Sequence, residues 1–98
     1  MRRDDAIRIL KEQQKEFRDR YNLVYLSLFG PVVRSNANKP NDGVGILVKF
    51  ARPTGLLEFL DLKKRIEALL GCKVEMGKPR SLKPEIRTRI LQEAVRVI

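Results

Sequence analysis

The sequence predicts an α+β domain, a small β-sheet with helices packed on it. Two β-prone apolar runs, Leu23–Phe29 and Val44–Phe50, are each bounded by turn-forming residues. Around them lie stretches whose apolar residues recur at helical spacing, the clearest of them stopped by Gly71. The resulting order is α-β-α-β-α-β-α, and helices in such an order bury their apolar stripes against the sheet. At 98 residues the chain is expected to form one domain, residues 1–98. A chain of this size buries roughly two-thirds of its unfolded surface, enough to fold alone with limited margin.

Residues 4–20 read as the first helix, capped by Asp4 or Asp5, with Ile7, Leu10, Gln14 and Phe17 on one face. Gln14 interrupts that stripe, so loose packing at one edge is expected. Leu23–Phe29 is the first strand, ended by Gly30. Residues 31–35 begin a short helix, with Pro31 in its first turn, where the missing N–H is tolerated. Residues 36–42 are dense in turn formers and read as a loop. Val44–Phe50 is the second strand and residues 52–55 a turn. Leu56, Phe59, Leu60, Lys63, Ile66, Leu69 and Leu70 trace a helix ending at Gly71. Residues 73–76 form a brief third strand. Leu82, Ile86, Ile90 and Ala94 mark a last helix, after which residues 95–98 run extended.

Composition narrows the function classes. Apolar content of 43% and charged content of 34% suit a folded globular chain and argue against disorder. No apolar run approaches the ~18 residues of a membrane span. The N-terminal MRRDDAIRIL mixes acids with bases and lacks a long apolar core, so it does not read as a secretory signal. One cysteine, Cys72, excludes an internal disulfide or a zinc cluster and points to the cytoplasm. With no histidine to activate it, Cys72 reads as a small buried residue. The net charge of +9 predicts attraction to an acidic protein or to nucleic acid. The last 21 residues alone carry six basic and two acidic side chains.

The stretch LFGPVVRSNANKPNDGVGILVKF, residues 28–50, carries a resemblance. It is similar to the active-site half of the minimal nucleotidyltransferases, the MntA-like antitoxin family of the polymerase-β-like nucleotidyltransferase superfamily. Their signature is an apolar strand ending in Gly-Ser, an Arg-Gly shortly after, and a second strand with Asp-x-Asp before an apolar run. Residues 53–59, 69–75 and the tail from Leu82 resemble the following parts of the same family, in the same order. The resemblance implies a mixed sheet with the polymerase-β-like fold. It also implies transfer of AMP from ATP with magnesium: backbone amides at a helix start hold the triphosphate, carboxylates hold two metals, and a further carboxylate helps align the nucleophile.

Matched residue by residue, the scaffold stands and the chemistry is missing. Gly30 matches the family glycine, which lets backbone approach phosphate. Pro31 takes the serine position and brings neither N–H nor hydroxyl. Arg34 matches the motif arginine and can pair with phosphate, and Ser35 takes the second glycine position. Gly43 and Gly45 fall on the two Asp ligand positions, and Glu75 stands where the third carboxylate belongs. Residues two apart on a strand share a face, which is why the family spaces its acids so. Asp42 is one residue out of phase. A slip that made it the first ligand would put Val44 in the second place. Gly43 and Gly45 also read as a turn entering the strand. Either way no intact metal site is expected, Mg and ATP should bind weakly at best, and transfer should be negligible.

Three functions compete on this sequence. The first is a non-catalytic, antitoxin-like binding partner of a helical HEPN-type toxin, which the family implies as partner. The second is an active ATP-dependent nucleotidyltransferase that moves AMP to a protein partner. The third is a basic nucleic-acid-binding module, for which no recognised motif is present. Neither a membrane partner nor a membrane span is expected, and an oligomer is compatible with all three.

Overall fold

The computed structural model describes residues 2–34 and 43–98, the Arg34 side chain excepted. Ser35 and the expected loop 36–42 lie outside the described residues. The elements run α1 (Arg3–Glu12), α2 (Gln14–Tyr21), β1 (Leu23–Phe29), α3 (Pro31–Arg34), β2 (Val44–Phe50), α4 (Leu56–Leu70), β3 (Val74–Gly77), a 3-10 turn (Pro79–Ser81), α5 (Pro84–Glu93) and β4 (Val95–Arg96). The four strands form a mixed sheet in the order β3-β2-β1-β4. β1 is antiparallel to both of its neighbours, and β2 and β3 are parallel.

The expected first helix is two helices. It breaks at Gln13, which leaves the helical region while its N–H reaches the Leu10 carbonyl oxygen at 3.1 Å. The break resets the phase of the stripe. Ala6, Leu10, Phe17 and Tyr21 turn inward and Gln14 stays outside, so the loose packing expected from Gln14 does not occur. Asp4 and Asp5 lie in the first turn, where they favour the helix dipole, and neither caps it. α2 ends on Asn22 in the left-handed region (φ 61°), a conformation Asn tolerates, and the chain turns into β1.

Leu26, Leu28, Val44, Ile46, Val48 and Val74 point from the sheet into one apolar cluster with α1, α2 and α4. On α4 the inward residues are Leu62, Ile66 and Leu70, with Phe59 and Leu69 at the margin. This corrects the expected stripe. A helix with so many leucines offers two apolar faces, and packing against α1 and β3 selects one of them. Leu56 and Leu57 are left 72% and 82% exposed.

Polar contacts tie α2 to α4, among them an Arg20–Asp61 ion pair at 3.6 Å. The Arg65 guanidinium donates twice to the Glu16 carboxylate, both at 3.0 Å, and Tyr21 donates its hydroxyl to Asp61 at 2.9 Å. The hydrogen bond from Arg65 holds the Glu16 carboxyl below its ordinary pKa, and burial pushes the Tyr21 phenol up. A carboxyl with a lowered folded-state pKa contributes stability above its unfolded pKa and loses it as pH falls through the folded one. Glu16→Gln should therefore lower the melting temperature at neutral pH. The difference from the parent should vanish in acid, below the folded-state Glu16 pKa, in a series of thermal melts against pH.

The tail runs extended as expected. Val95–Arg96 pairs with Ser27 and Leu28, and beyond it the Val97 N–H donates to the Leu26 carbonyl oxygen at 2.8 Å while the Leu26 N–H donates to the Ile98 carbonyl oxygen at 3.1 Å. The third strand begins one residue later than expected, at Val74. α5 starts at Pro84 and buries none of its residues fully, so its four-residue stripe is only half covered. No helix among the described residues is long and apolar enough to cross a membrane.

Candidate functional site

Strand register decides which side chains meet. Phe29 lies opposite Gly45 across β1 and β2, and Gly45 lies beside Glu75 across β2 and β3. Such partners share a sheet face, with adjacent strands ~4.8 Å apart. Gly43 stands two residues before Gly45, immediately ahead of β2. The fold thus brings together Gly43, Gly45 and Glu75, the three residues matched to carboxylate positions. They line an open cleft of roughly 750 Å³ together with Phe29, Gly30 and Pro31. Val44 faces the other way, into the core opposite Val74. A slipped alignment led by Asp42, itself outside the described residues, would place the second ligand position in that core.

The two glycine positions are each fronted by an apolar group. A Cβ on Gly43 would lie 3.5 Å from the Pro31 ring, an ordinary contact. A Cβ on Gly45 would fall 2.5–2.7 Å from three carbons of the Phe29 ring. The ring occupies the space into which a side chain at 45 would project. Sequence reasoning did not single out Phe29, because its role appears only once the β1–β2 register is known.

The backbone just after Gly30, matched to the family's phosphate loop, is also committed. Gly30 has φ +86°, a left-handed conformation that favours glycine. Pro31 has no N–H. The Val32 N–H donates to the Gly43 carbonyl oxygen at 3.2 Å, and the Val33 N–H to the Gly30 carbonyl oxygen at 3.0 Å. None of the three positions after Gly30 offers a free amide. The Arg34 backbone closes α3, and its side chain, like all of Ser35, lies outside the described residues.

The remaining polar groups of the cleft are Lys63 and Lys73, which bring positive charge, and the carboxylates of Glu67 and Glu75. Glu67 accepts the Val74 N–H at 3.0 Å and is committed to the backbone. Cys72 lines the same cleft half-buried and packs against the core cluster, so its expected burial is partial. No three His, Cys, Asp or Glu side chains converge among the described residues. Magnesium needs carboxylates together with substrate phosphates in near-octahedral geometry. Among the described residues, Glu75 beside two glycines does not make up a magnesium site.

No family model matches the chain. The protein adenylyltransferase MntA of Thermococcus cleftensis is 39% identical over 89 residues, which span 91% of this chain and 89% of that protein. The chain belongs to the MntA family of minimal nucleotidyltransferases. A solved structure assigned to the minimal nucleotidyltransferases superposes with a TM-score of 0.77 at 29% identity, over 97% of this chain and 95% of that one. The tri-AMPylated HEPN toxin of Shewanella oneidensis in complex with its MNT antitoxin matches at TM-score 0.65 and 15% identity, a likeness of fold. That match covers 94% of this chain and 71% of the other. The mixed sheet and its helices are therefore those of an MntA-family nucleotidyltransferase.

Proposed function

We propose that this chain is a non-catalytic MntA-family protein that acts, antitoxin-like, by binding a HEPN-type toxin without transferring AMP to it. One observation carries the reading. Two of the three carboxylate positions are Gly43 and Gly45, and the Phe29 ring fills the place of a side chain at 45. The loss of the serine at Pro31 and the capture of the Val32 and Val33 amides support it independently. The HEPN partner is supported by family membership and by the fold shared with an antitoxin bound to such a toxin.

The second reading, ATP-dependent transfer of AMP to a protein partner, is favoured by the 39% identity to a protein adenylyltransferase. The two separate on one experiment. The chain is co-expressed with a HEPN-type toxin, growth is followed, and the co-purified toxin is weighed by intact-mass spectrometry. The proposal expects restored growth and a toxin of unmodified mass. A toxin carrying added AMP overturns it in favour of the enzyme, and a toxin left neither bound nor neutralised overturns the antitoxin role.

A further inference from the structure

At the end of β2 remote from the cleft, a second groove of roughly 590 Å³ is lined by Lys49, Arg52, Lys78, Arg80 and Arg87. Among the described residues, no carboxylate lines it. These five cations come from three separate stretches of the chain, and the turn after β2 and the 3-10 turn after β3 bring them together. Such a cluster is self-repelling and gains from an anionic occupant. Two of the cations are held on aromatic rings. The Lys78 ammonium lies 5.6 Å from the Phe50 ring centre and 6.0 Å from that of Phe59, and the Lys49 ammonium 4.8 Å from that of Tyr25.

Phe59 joins this groove to an apolar patch. Leu56, Phe59 and Leu60 are neighbours on one side of α4, at spacings of three and four residues. Leu57 adjoins them, and Leu56 and Leu57 are almost wholly in solvent. Adjacent exposed leucines at the start of a helix, beside a bare basic groove, mark an interaction surface. Phosphodiester chains would use the cations and leave the leucines in water. A partner with carboxylates on one side and apolar residues on the other uses both.

We infer that this surface docks an acidic amphipathic helix of a partner protein. Its apolar stripe covers Leu56, Leu57 and Leu60, and its carboxylates enter the groove of Arg52, Lys78, Arg80 and Arg87. The inference stands on the surface alone and holds whether or not the cleft transfers AMP.

The test is fluorescence anisotropy with labelled synthetic probes of roughly 18 residues, about five helical turns. A Glu/Leu amphipathic peptide is compared with a Glu/Ser peptide, a Gln/Leu peptide and an oligo(U) RNA of similar length. The Glu/Leu peptide should bind tightest and weaken with added salt. The exposed-site variants Leu56→Ser with Leu57→Ser, and Arg52→Glu with Arg80→Glu, should each raise its Kd about tenfold or more, as expected for anchor residues. Circular dichroism checks that both variants remain folded. If Glu/Ser or Gln/Leu binds as well as Glu/Leu, the two-part surface is wrong. Tighter binding of oligo(U) assigns the groove to phosphodiesters and overturns the proposal, as does failure of the Glu/Leu peptide to bind.

Discussion

A Pro31→Ser, Gly43→Asp, Gly45→Asp chain should transfer AMP from Mg-ATP, and the present chain should not. The three substitutions return the hydroxyl and N–H after Gly30 and two carboxylates beside Glu75, the strand neighbour of Gly45. Metal-borne stabilisation of a transition state is worth several kcal/mol. At about 1.4 kcal/mol per decade, the gain in rate should be on the order of 10³-fold. The aspartates without Pro31→Ser should fall between, since the position after Gly30 would still lack an amide donor. Incorporation of labelled AMP into a co-purified partner, with calorimetric titration of Mg-ATP beside it, gives the measurement. If the triple variant folds yet binds no nucleotide, the assignment of Gly43 and Gly45 to the ligand positions is wrong. Transfer by the unaltered chain would show that the emptied site is not needed.

The second large effect concerns stability. Gly45→Ala should destabilise the protein by about 1 kcal/mol, the low end of the range for inserting a methyl group into filled space, because the Phe29 ring can shift toward the open cleft it lines. The added carbon would lie within 2.7 Å of the Phe29 ring, closer than real contacts allow, and Gly45 is buried between neighbouring strands. The same change at Gly43 should be nearly neutral, because its Cβ meets only the Pro31 ring at ordinary distance. Phe29→Ala removes the obstacle. Gly45→Ala on that background should therefore lose most of its penalty, and the double-mutant cycle should show strong coupling. Urea unfolding of the four proteins measures it, and equal penalties at 45 in both backgrounds would show that the ring is not what fills the site. The restored enzyme has to push the same ring aside, into the open cleft it lines.

Much of the fold was legible because the chain punctuates itself. Gly30 and Gly71 both adopt positive φ, and β1, β2 and α4 end or begin where turn residues say they should. The break at Gln13 had no such sign, since neither Gly nor Pro stands near it. The face of α4 was ambiguous because leucines supply two stripes and only the neighbouring elements choose between them. In the site, the positions of Gly43, Gly45 and Glu75 were readable through family resemblance. The Phe29 ring and the captured Val32 and Val33 amides were not, because strand register and backbone pairing create them. The basic groove was invisible for a related reason: its cations are scattered from Lys49 to Arg87 and meet only in the folded chain.

β2 carries the cleft at one end and the basic groove at the other, with its seven residues spanning ~20 Å between them. Substitutions that far apart, with no shared partners, act additively. Mutation can erode the cleft without weakening the grip at the groove, and selection can preserve the grip without any memory of the chemistry. A lineage on this scaffold is free to abandon catalysis while its partner still recognises it.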